Sequence, residues 1–392
     1  MKIFMACDHP LPPELYGGIQ YYVLKLAESM QTAGHQVEVF TPVRNSSRYP
    51  FRVNAIRPYG ILFAEGAMAA LRTYPLGYFR MLGSLRDRMG NGYRCDVLHA
   101  HNPFIAGNAG RQIIKETGIP AVLTYYGWDT AENHLHHRGI TWTERLARLS
   151  LKGYRKIIVY NQMTKEALGE RFGLNHDDIE VLPLAVDTDF FKPNIPGDWV
   201  RQKYNIPADK PLVLFLGSIG KQKGIQILLH AFKELLPKVE AYLIIAGNGP
   251  FREGAIQLSS ELGLNRYVTF TGGVPEEELP AFFSACDIFV NPSLDDCYSL
   301  VVLEASACGR AVIGTDHPIM IEEYAGNNPD HIMLCPRGDS SKLARVMLEL
   351  IDNPKLRLNM GEKARKKVEA RHTLHQYRDS LLTIYEKAIN KK

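Results

Sequence analysis

The feature that most constrains this chain is a pattern that it uses twice: an apolar strand, a glycine-bearing loop and an amphipathic helix. Lys2 to Ala6 is a short apolar run. A proline-rich loop leads to Gly17 and Gly18, and then Ile19, Tyr22, Val23, Leu26, Ala27 and Met30 fall at helical spacing. Gly34 closes that helix, and Val37 to Phe40 alternates as a strand does. A strand, helix and strand at this length make a βαβ unit, which implies a parallel sheet. Strands expected at Asp96–Ala100, Ala121–Tyr125, Lys156–Tyr160 and Glu180–Leu184, with helices at Ala109–Thr117 and Trp142–Lys152, continue the pattern.

The stretch Asp187–Lys210 holds Pro193, Pro196 and Pro207 with little periodicity and reads as a linker. The pattern then restarts. Leu212–Leu216 is strongly apolar, Gly217 and Gly220 lie in the loop, and Ile225, Leu228, Leu229 and Phe232 repeat on a helix. Short strands follow at Ala241–Ala246, Val268–Phe270, Ile288–Val290 and Ala311–Gly314, and Ser341–Lys392 reads as two or three basic helices. The expected fold class is therefore α/β, with two Rossmann-like, doubly wound domains facing a cleft. The domains expected are 1–190, 191–372, and a C-terminal helix, 373–392, that returns to the first domain. Ligands of such sheets bind at the carboxyl ends of the strands, so the cleft is the default site.

Composition excludes several classes. A chain of 392 residues suits two cores rather than one. A net charge of +4 is too small for a polycation that wraps nucleic acid. No uncharged apolar run approaches the roughly 18 residues of a membrane span, and MKIFMAC reaches Asp8 too soon for a signal peptide and reads as a buried strand. The six cysteines show no C-x-x-C pair, so reduced thiols and a cytoplasmic location are expected. The basic charge is uneven. Arg44 to Arg94 holds nine arginines, no lysine, and only Glu65 and Asp87. From Arg72 to Arg88 arginines interleave with Tyr78, Phe79, Met81, Leu82 and Leu85. That pattern suits a helix lying on an anionic membrane surface, or an ordinary surface helix packed on its own domain.

Several residues could carry chemistry. Gly17-Gly18 sits between a strand and a helix, as a phosphate cradle or a plain tight turn, and no G-x-G-x-x-G fingerprint is present. Lys223-Gly224 opens the matching helix of the second half, where a lysine reaches a diphosphate or stays in solvent. The segment Asn291–Gly309 is the most informative. Asp296 lies in a polar loop, and Glu304, eight residues on, lies inside an apolar helix. A carboxylate between Leu303 and Ala305 is costly to bury without a partner, and sugar hydroxyls are suitable partners. The structural alternative makes Asp296 an N-cap and Glu304 half of a buried ion pair. His99, His101, His134, His136 and His137 lack acidic or cysteine partners at ligand spacing, so no metal site is expected.

This arrangement resembles glycosyltransferase family 4 of the GT-B fold over nearly the whole chain. The family's E-x7-E is matched by Asp296 and Glu304, and its surrounding motif by Pro292, Ser293, Leu300, Val301, Ala305, Ala307 and Gly309. Gly17-Gly18, His99-x-His101, Val186-Asp187, Lys223-Gly224 and Gly247-x-Gly249 fall in the family's order. The resemblance implies roles. Glu304 would hold the donor ribose, and Asp296 would contact the transferred sugar. Lys223 would neutralise the diphosphate with amides near Gly17, Gly18, Ser299, Leu300 and Val301. The backbone of Gly273 and Val274 would sit near the base, and His101 and Asp129 would line the acceptor side. It further implies retention of configuration without metal or other cofactor. Three positions depart from the family: Ser218 stands for an arginine, Tyr126 for a histidine and Asp296 for a glutamate. Lys221 shares the loop of Ser218, and the Tyr126 hydroxyl can still hydrogen-bond a sugar.

The expected activity is hexosyl transfer from a nucleotide-diphosphate sugar, with UDP chosen as carrier, to a glycan or lipid-linked acceptor in polysaccharide or glycoconjugate synthesis. Asp296, Lys223 and Tyr126 are the catalytic candidates. The cytoplasmic enzyme would be peripheral on the inner face of the membrane. The alternatives are a non-catalytic nucleotide-sugar binder of the same fold and a sugar-nucleotide epimerase.

Overall fold

The computed structural model describes residues 1–12, 18–43, 49–57, 67–90, 92, 94–126, 142–296, 299–326 and 330–391, with main chain only at 67–73, 142 and 143. Two compact units emerge: Met1–Pro183 with Leu374–Lys392, and Leu184–Thr373.

The first unit is a seven-stranded parallel sheet. Its strands are β1 (Lys2–Cys7), β2 (Gln36–Thr41), β3 (Arg52–Ala55), β4 (Val97–His101), β5 (Ala121–Thr124), β6 (Lys156–Val159) and β7 (Ile179–Val181), in the order β3-β2-β1-β4-β5-β6-β7. Its helices are α1 (Gly18–Thr32), α2 (Ala67–Gly90), α3 (Ile105–Thr117), α4 (Trp142–Leu151) and α5 (Gln162–Phe172). The central strands β4 and β5 are buried along their whole length because helices cover both faces, so apolar–polar alternation is lost where burial is two-sided.

The second unit is a six-stranded parallel sheet of β8 (Leu212–Leu216), β9 (Tyr242–Ala246), β10 (Val268–Gly272), β11 (Ile288–Val290), β12 (Ala311–Thr315) and β13 (Ile332–Cys335), in the order β10-β9-β8-β11-β12-β13. Its helices are α6 (Asp198–Lys203), α7 (Ile225–Leu235), α8 (Arg252–Glu261), α9 (Leu279–Ala285), α10 (Leu300–Ala307), α11 (Ser340–Asp352) and α12 (Pro354–Arg371). Leu228, Leu229 and Phe232 of α7 and Leu343, Val346 and Met347 of α11 are buried in one core. The stretch read as a linker carries α6, and from Leu184 onward it lies within this unit.

The last helix, α13 (Leu374–Asn390), belongs to the first unit and packs on α1 and β5. Tyr377 and Tyr385 are its buried anchors. Tyr377 meets Tyr22 edge-on at 5.2 Å, and the Tyr385 hydroxyl lies 2.7 Å from His99 Nδ1.

The sequence pattern did not single out β3, β13 or α5. β3 is a short edge strand of mixed polarity and α5 buries only Thr164, Leu168 and Phe172, while β13 is apolar but is a four-residue strand at the edge of the second sheet. In α2, Met81, Leu82 and Leu85 are buried in the core of the first unit. That half of its apolar face therefore packs on its own unit.

Candidate functional site

In each sheet the strand order reverses once, between β1 and β4 and between β8 and β11. Loops leaving neighbouring strands there turn to opposite sides and open a crevice. In the second unit the loops that carry Ser218, Lys223, Gly273, Val274 and Asp296 run from the carboxyl ends of β8, β10 and β11.

The β8 loop begins at Gly217 and reaches Lys223-Gly224 at the start of α7. Gly224 has φ +70°, and a Cβ there would stand 1.9 Å from Pro292 O, so only glycine lets this loop approach the β11 loop. Gly247 is bound in the same way, with φ +137° and a Cβ position 1.8 Å from Gly217 O. The N–H groups of Leu294 and Asp295 donate to Gln222 O at 2.8 and 3.3 Å. Ile219 N–H donates to Asn248 O at 2.8 Å, and Gly247 N–H to Gly272 O at 2.7 Å. The Asn248 amide, oriented to satisfy both partners, bridges Gly247 O and the N–H of Gly273. Close glycine contacts thus draw four loops into one rim.

Lys223 and Asp296 meet directly, Nζ to Oδ2 at 2.8 Å. The Ser293 hydroxyl lies 2.8 Å from Asn291 Oδ1 and 3.2 Å from Asp296 Oδ2. Asp296 does not cap the helix. The N-cap position of α10 is Ser299, with no side-chain cap bond. The Ser299 N–H donates to the Tyr324 hydroxyl, and its own hydroxyl accepts from Asn291 Nδ2. Of the three amides singled out here, those of Leu300 and Val301 are the ones that the helix end presents.

Glu304 follows one turn into α10. It is 4% exposed, no cation pairs with it among the described residues, and its Oε2 is buried without a hydrogen-bond partner. Burial, with a smaller push from Glu276, raises its carboxyl to about 8. Glu304 is therefore a protonated acid with one unused oxygen, buried at a desolvation cost that a ligand hydroxyl would relieve.

Ser218 is exposed at the mouth of the β8 loop. The Lys221 ammonium lies over the Phe251 ring, 5.5 Å from its centroid. Gly273 and Val274 follow β10 beside Asn248. Sequence reasoning missed His317, which is buried after β12; its Nε2 lies 3.6 Å from Asp295 Oδ1 and 3.5 Å from Asp296 N. It missed Tyr324 as well. Neither stands in a pattern that spacing reveals, since each acts through a loop distant in sequence.

In the first unit, Tyr126 follows β5 with its hydroxyl 2.8 Å from His101 Nδ1. Burial pushes the phenol well above its ordinary range and His101 down to about 3, so both are neutral. His101 Nε2 is buried without a partner. His99 uses both ring nitrogens, on Tyr385 and on Thr124 Oγ1 at 2.7 Å, and has none left for a metal. Asp8, which the sequence did not flag, follows β1 and accepts the N–H of Ala106 at 2.5 Å; burial lifts its carboxyl to about 7. Gly18 opens α1. Gly17, Asp129, His134, His136 and His137 lie outside the described residues. Among the described residues no cluster of three or more His, Cys, Asp or Glu side chains could hold a metal ion.

Two doubly wound parallel sheets, the second with a lysine, a buried acid and a helix end at its switch point, define the GT-B class of fold. The chain belongs to the group 1 glycosyltransferases: the family Glycosyl transferases group 1 matches residues 198–367, and Glycosyltransferase Family 4 matches residues 16–190. It is 27% identical to a D-inositol 3-phosphate glycosyltransferase of Corynebacterium aurimucosum, over 93% of this chain and 91% of that protein. Among solved structures it is similar to a sucrose-phosphate synthase from Thermosynechococcus elongatus, with TM-score 0.83 and 21% identity over 99% of both chains. Anabaena Alr3699/HepE in complex with UDP-glucose gives TM-score 0.78 and 17% identity over 98% of this chain and 99% of that one.

Proposed function

We propose that this glycosyltransferase takes a hexose from a UDP-sugar and transfers it with retention of configuration to a glycan or lipid-linked acceptor, in polysaccharide or glycoconjugate synthesis. The observation that carries the reading is Glu304, a buried acid whose second oxygen has no partner at the crevice between β8 and β11. The ribose hydroxyls of the donor complete its hydrogen bonding. Lys223, held on Asp296, faces the diphosphate together with the N–H groups of Leu300 and Val301. The carbon–oxygen bond to the diphosphate breaks more easily because the charge left on phosphate meets a fixed ammonium and a helix N-terminus. Asp296 contacts the transferred sugar, and the Gly273-Val274 backbone lies by the base. The Tyr126 hydroxyl serves the transferred sugar as a catalytic group, and His101 and Asp129 serve the acceptor side. A UDP carrier is supported by the UDP-glucose complex of a protein of the same fold.

The acceptor is proposed to lie at the cytoplasmic face of a membrane. On α2, Phe79 is 67% exposed and Leu76 45% exposed. Phe79 borders a groove of about 490 Å³ that also carries Arg52, Arg57, Arg80 and Arg88. Exposed apolar residues beside arginines suit an anionic lipid surface. No described helix is long and apolar enough to cross a membrane.

One observation favours a second reading, a nucleotide-sugar binder without turnover. Ser218 supplies no charge, and Lys221 is laid over Phe251. Thermal-shift titration with uridine, guanosine and adenosine diphosphate sugars, followed by acceptor screening and assignment of the product anomer, tests both. A shift with a UDP-sugar and a retained anomer support the first reading. Binding with no product over a broad acceptor panel supports the second.

A further inference from the structure

Between β12 and β13 the chain makes one turn of π-helix, Met320–Ala325. From it Tyr324 reaches the start of α10. Its hydroxyl donates to Ser299 O at 2.9 Å and accepts the Ser299 N–H at 3.2 Å. One phenol thus holds both main-chain groups of the residue at which α10 begins. Tyr324 is 5% exposed, so neither bond competes with bulk water. Its own carbonyl accepts from Lys367 Nζ on α12 and from His331 Nε2, both at 2.5 Å. Lys367 Nζ and His331 Nε2 are 3.2 Å apart. The tyrosine is therefore fixed from behind, by α12 and by the entry to β13, and grips the donor loop in front.

We propose that Tyr324 is a positioning residue for donor binding: by closing both main-chain groups of Ser299 it sets where α10 starts. It thereby sets the span between the Leu300 and Val301 amides and the Glu304 carboxyl. This rests on the donor reading given above. The physical reason is the rigidity of a helix. Glu304 and the first N–H groups of α10 are one element, so a loop free to fray at Ser299 would let the helix end and the acid lose register together. A phenol that occupies the Ser299 amide also directs the diphosphate to the next two amides, because an N–H already paired inside the protein is not offered to the ligand. The role is one of positioning, since Tyr324 acts through Ser299 and reaches the ligand through no atom of its own.

The test is Tyr324→Phe, which removes only the hydroxyl, in the full chain. Binding of uridine, guanosine and adenosine diphosphates and of the matching nucleosides is measured by calorimetry, and steady-state kinetics follow with the best donor. Affinity for the preferred diphosphate is expected to fall about tenfold, the equivalent of roughly 1.4 kcal/mol. The nucleoside should lose no more than about twofold, and the kinetic loss should appear in KM more than in kcat. Lys367→Met, which loosens the same tyrosine from behind, should give a smaller loss of the same kind. It also carries the test if the phenylalanine variant does not fold. Diphosphate affinity within twofold of wild type in both variants overturns the proposal. Equal loss for diphosphate and nucleoside overturns it as well, because that is the mark of general destabilisation. A wild-type protein that binds none of the three diphosphates sinks the donor reading itself and this inference with it.

Discussion

Replacing Glu304 by Gln separates two consequences of one buried acid. The carboxyl is raised from 4.5 to about 8, first by burial and then by Glu276. An acid whose folded pKa lies above its unfolded value favours the fold fully below the unfolded pKa. That contribution is lost as pH rises through the folded value. Holding Glu304 ionised costs about 5 kcal/mol from the displacement alone. Water entering the crevice lowers this, and a difference of about 2 kcal/mol is expected to survive. Glutamine has no charge to desolvate. Glu304→Gln should therefore melt close to wild type near pH 5 but roughly 4–8 °C higher near pH 9, for a cooperative unit of this size. A donor whose hydroxyls favour the ionised carboxylate gains a charge-assisted hydrogen bond worth about 1.5–3 kcal/mol, which the glutamine of this variant cannot supply. Affinity for the nucleoside diphosphate should then drop roughly 10- to 100-fold. Thermal denaturation across pH and a calorimetric titration read the two effects independently. A melting difference that is the same at both pH values would show that burial does not hold this acid protonated. Unchanged affinity would remove Glu304 from the donor site.

Lys223→Ala should lower turnover about 100-fold while donor affinity changes by less than about tenfold, since the ammonium meets charge that grows as the diphosphate leaves. An unaltered rate constant would hand the role to Lys221 or to the amides. Activity should survive a chelator, and loss restored by magnesium or manganese would overturn the metal-free reading. Binding to anionic vesicles should weaken as salt rises and should fall with Arg57→Gln, Arg80→Gln and Phe79→Ser, with donor affinity intact. Arg86→Gln should matter less to the vesicles, because Arg86 is already paired with both carboxyl oxygens of Glu116. Wild-type protein that ignores such vesicles at low salt would point to a soluble acceptor.

What the sequence determined by itself is local and periodic. Apolar runs such as Leu212–Leu216, glycines such as Gly224 at each strand-to-helix turn, and helical spacing in α1 and α7 follow from propensity and side-chain period. Together they imply two parallel sheets. The spacing of Asp296 and Glu304 singled out the loop after β11 and the helix α10. The tertiary structure alone decided which charges meet. It placed Lys223 on Asp296 from a loop more than seventy residues upstream, left Glu304 without the ion partner that a structural role needed, and brought His317 and Tyr324 to the same rim. It assigned α13 to the first unit through Tyr377 and Tyr385, and it turned Met81, Leu82 and Leu85 of α2 inward, which leaves Leu76 and Phe79 as the exposed large apolar side chains of α2 among the described residues. Periodicity states that a helix has an apolar face. What that face covers, and which buried polar atom lacks a partner, depends on elements far apart in the chain, and only the packed sheet brings those together.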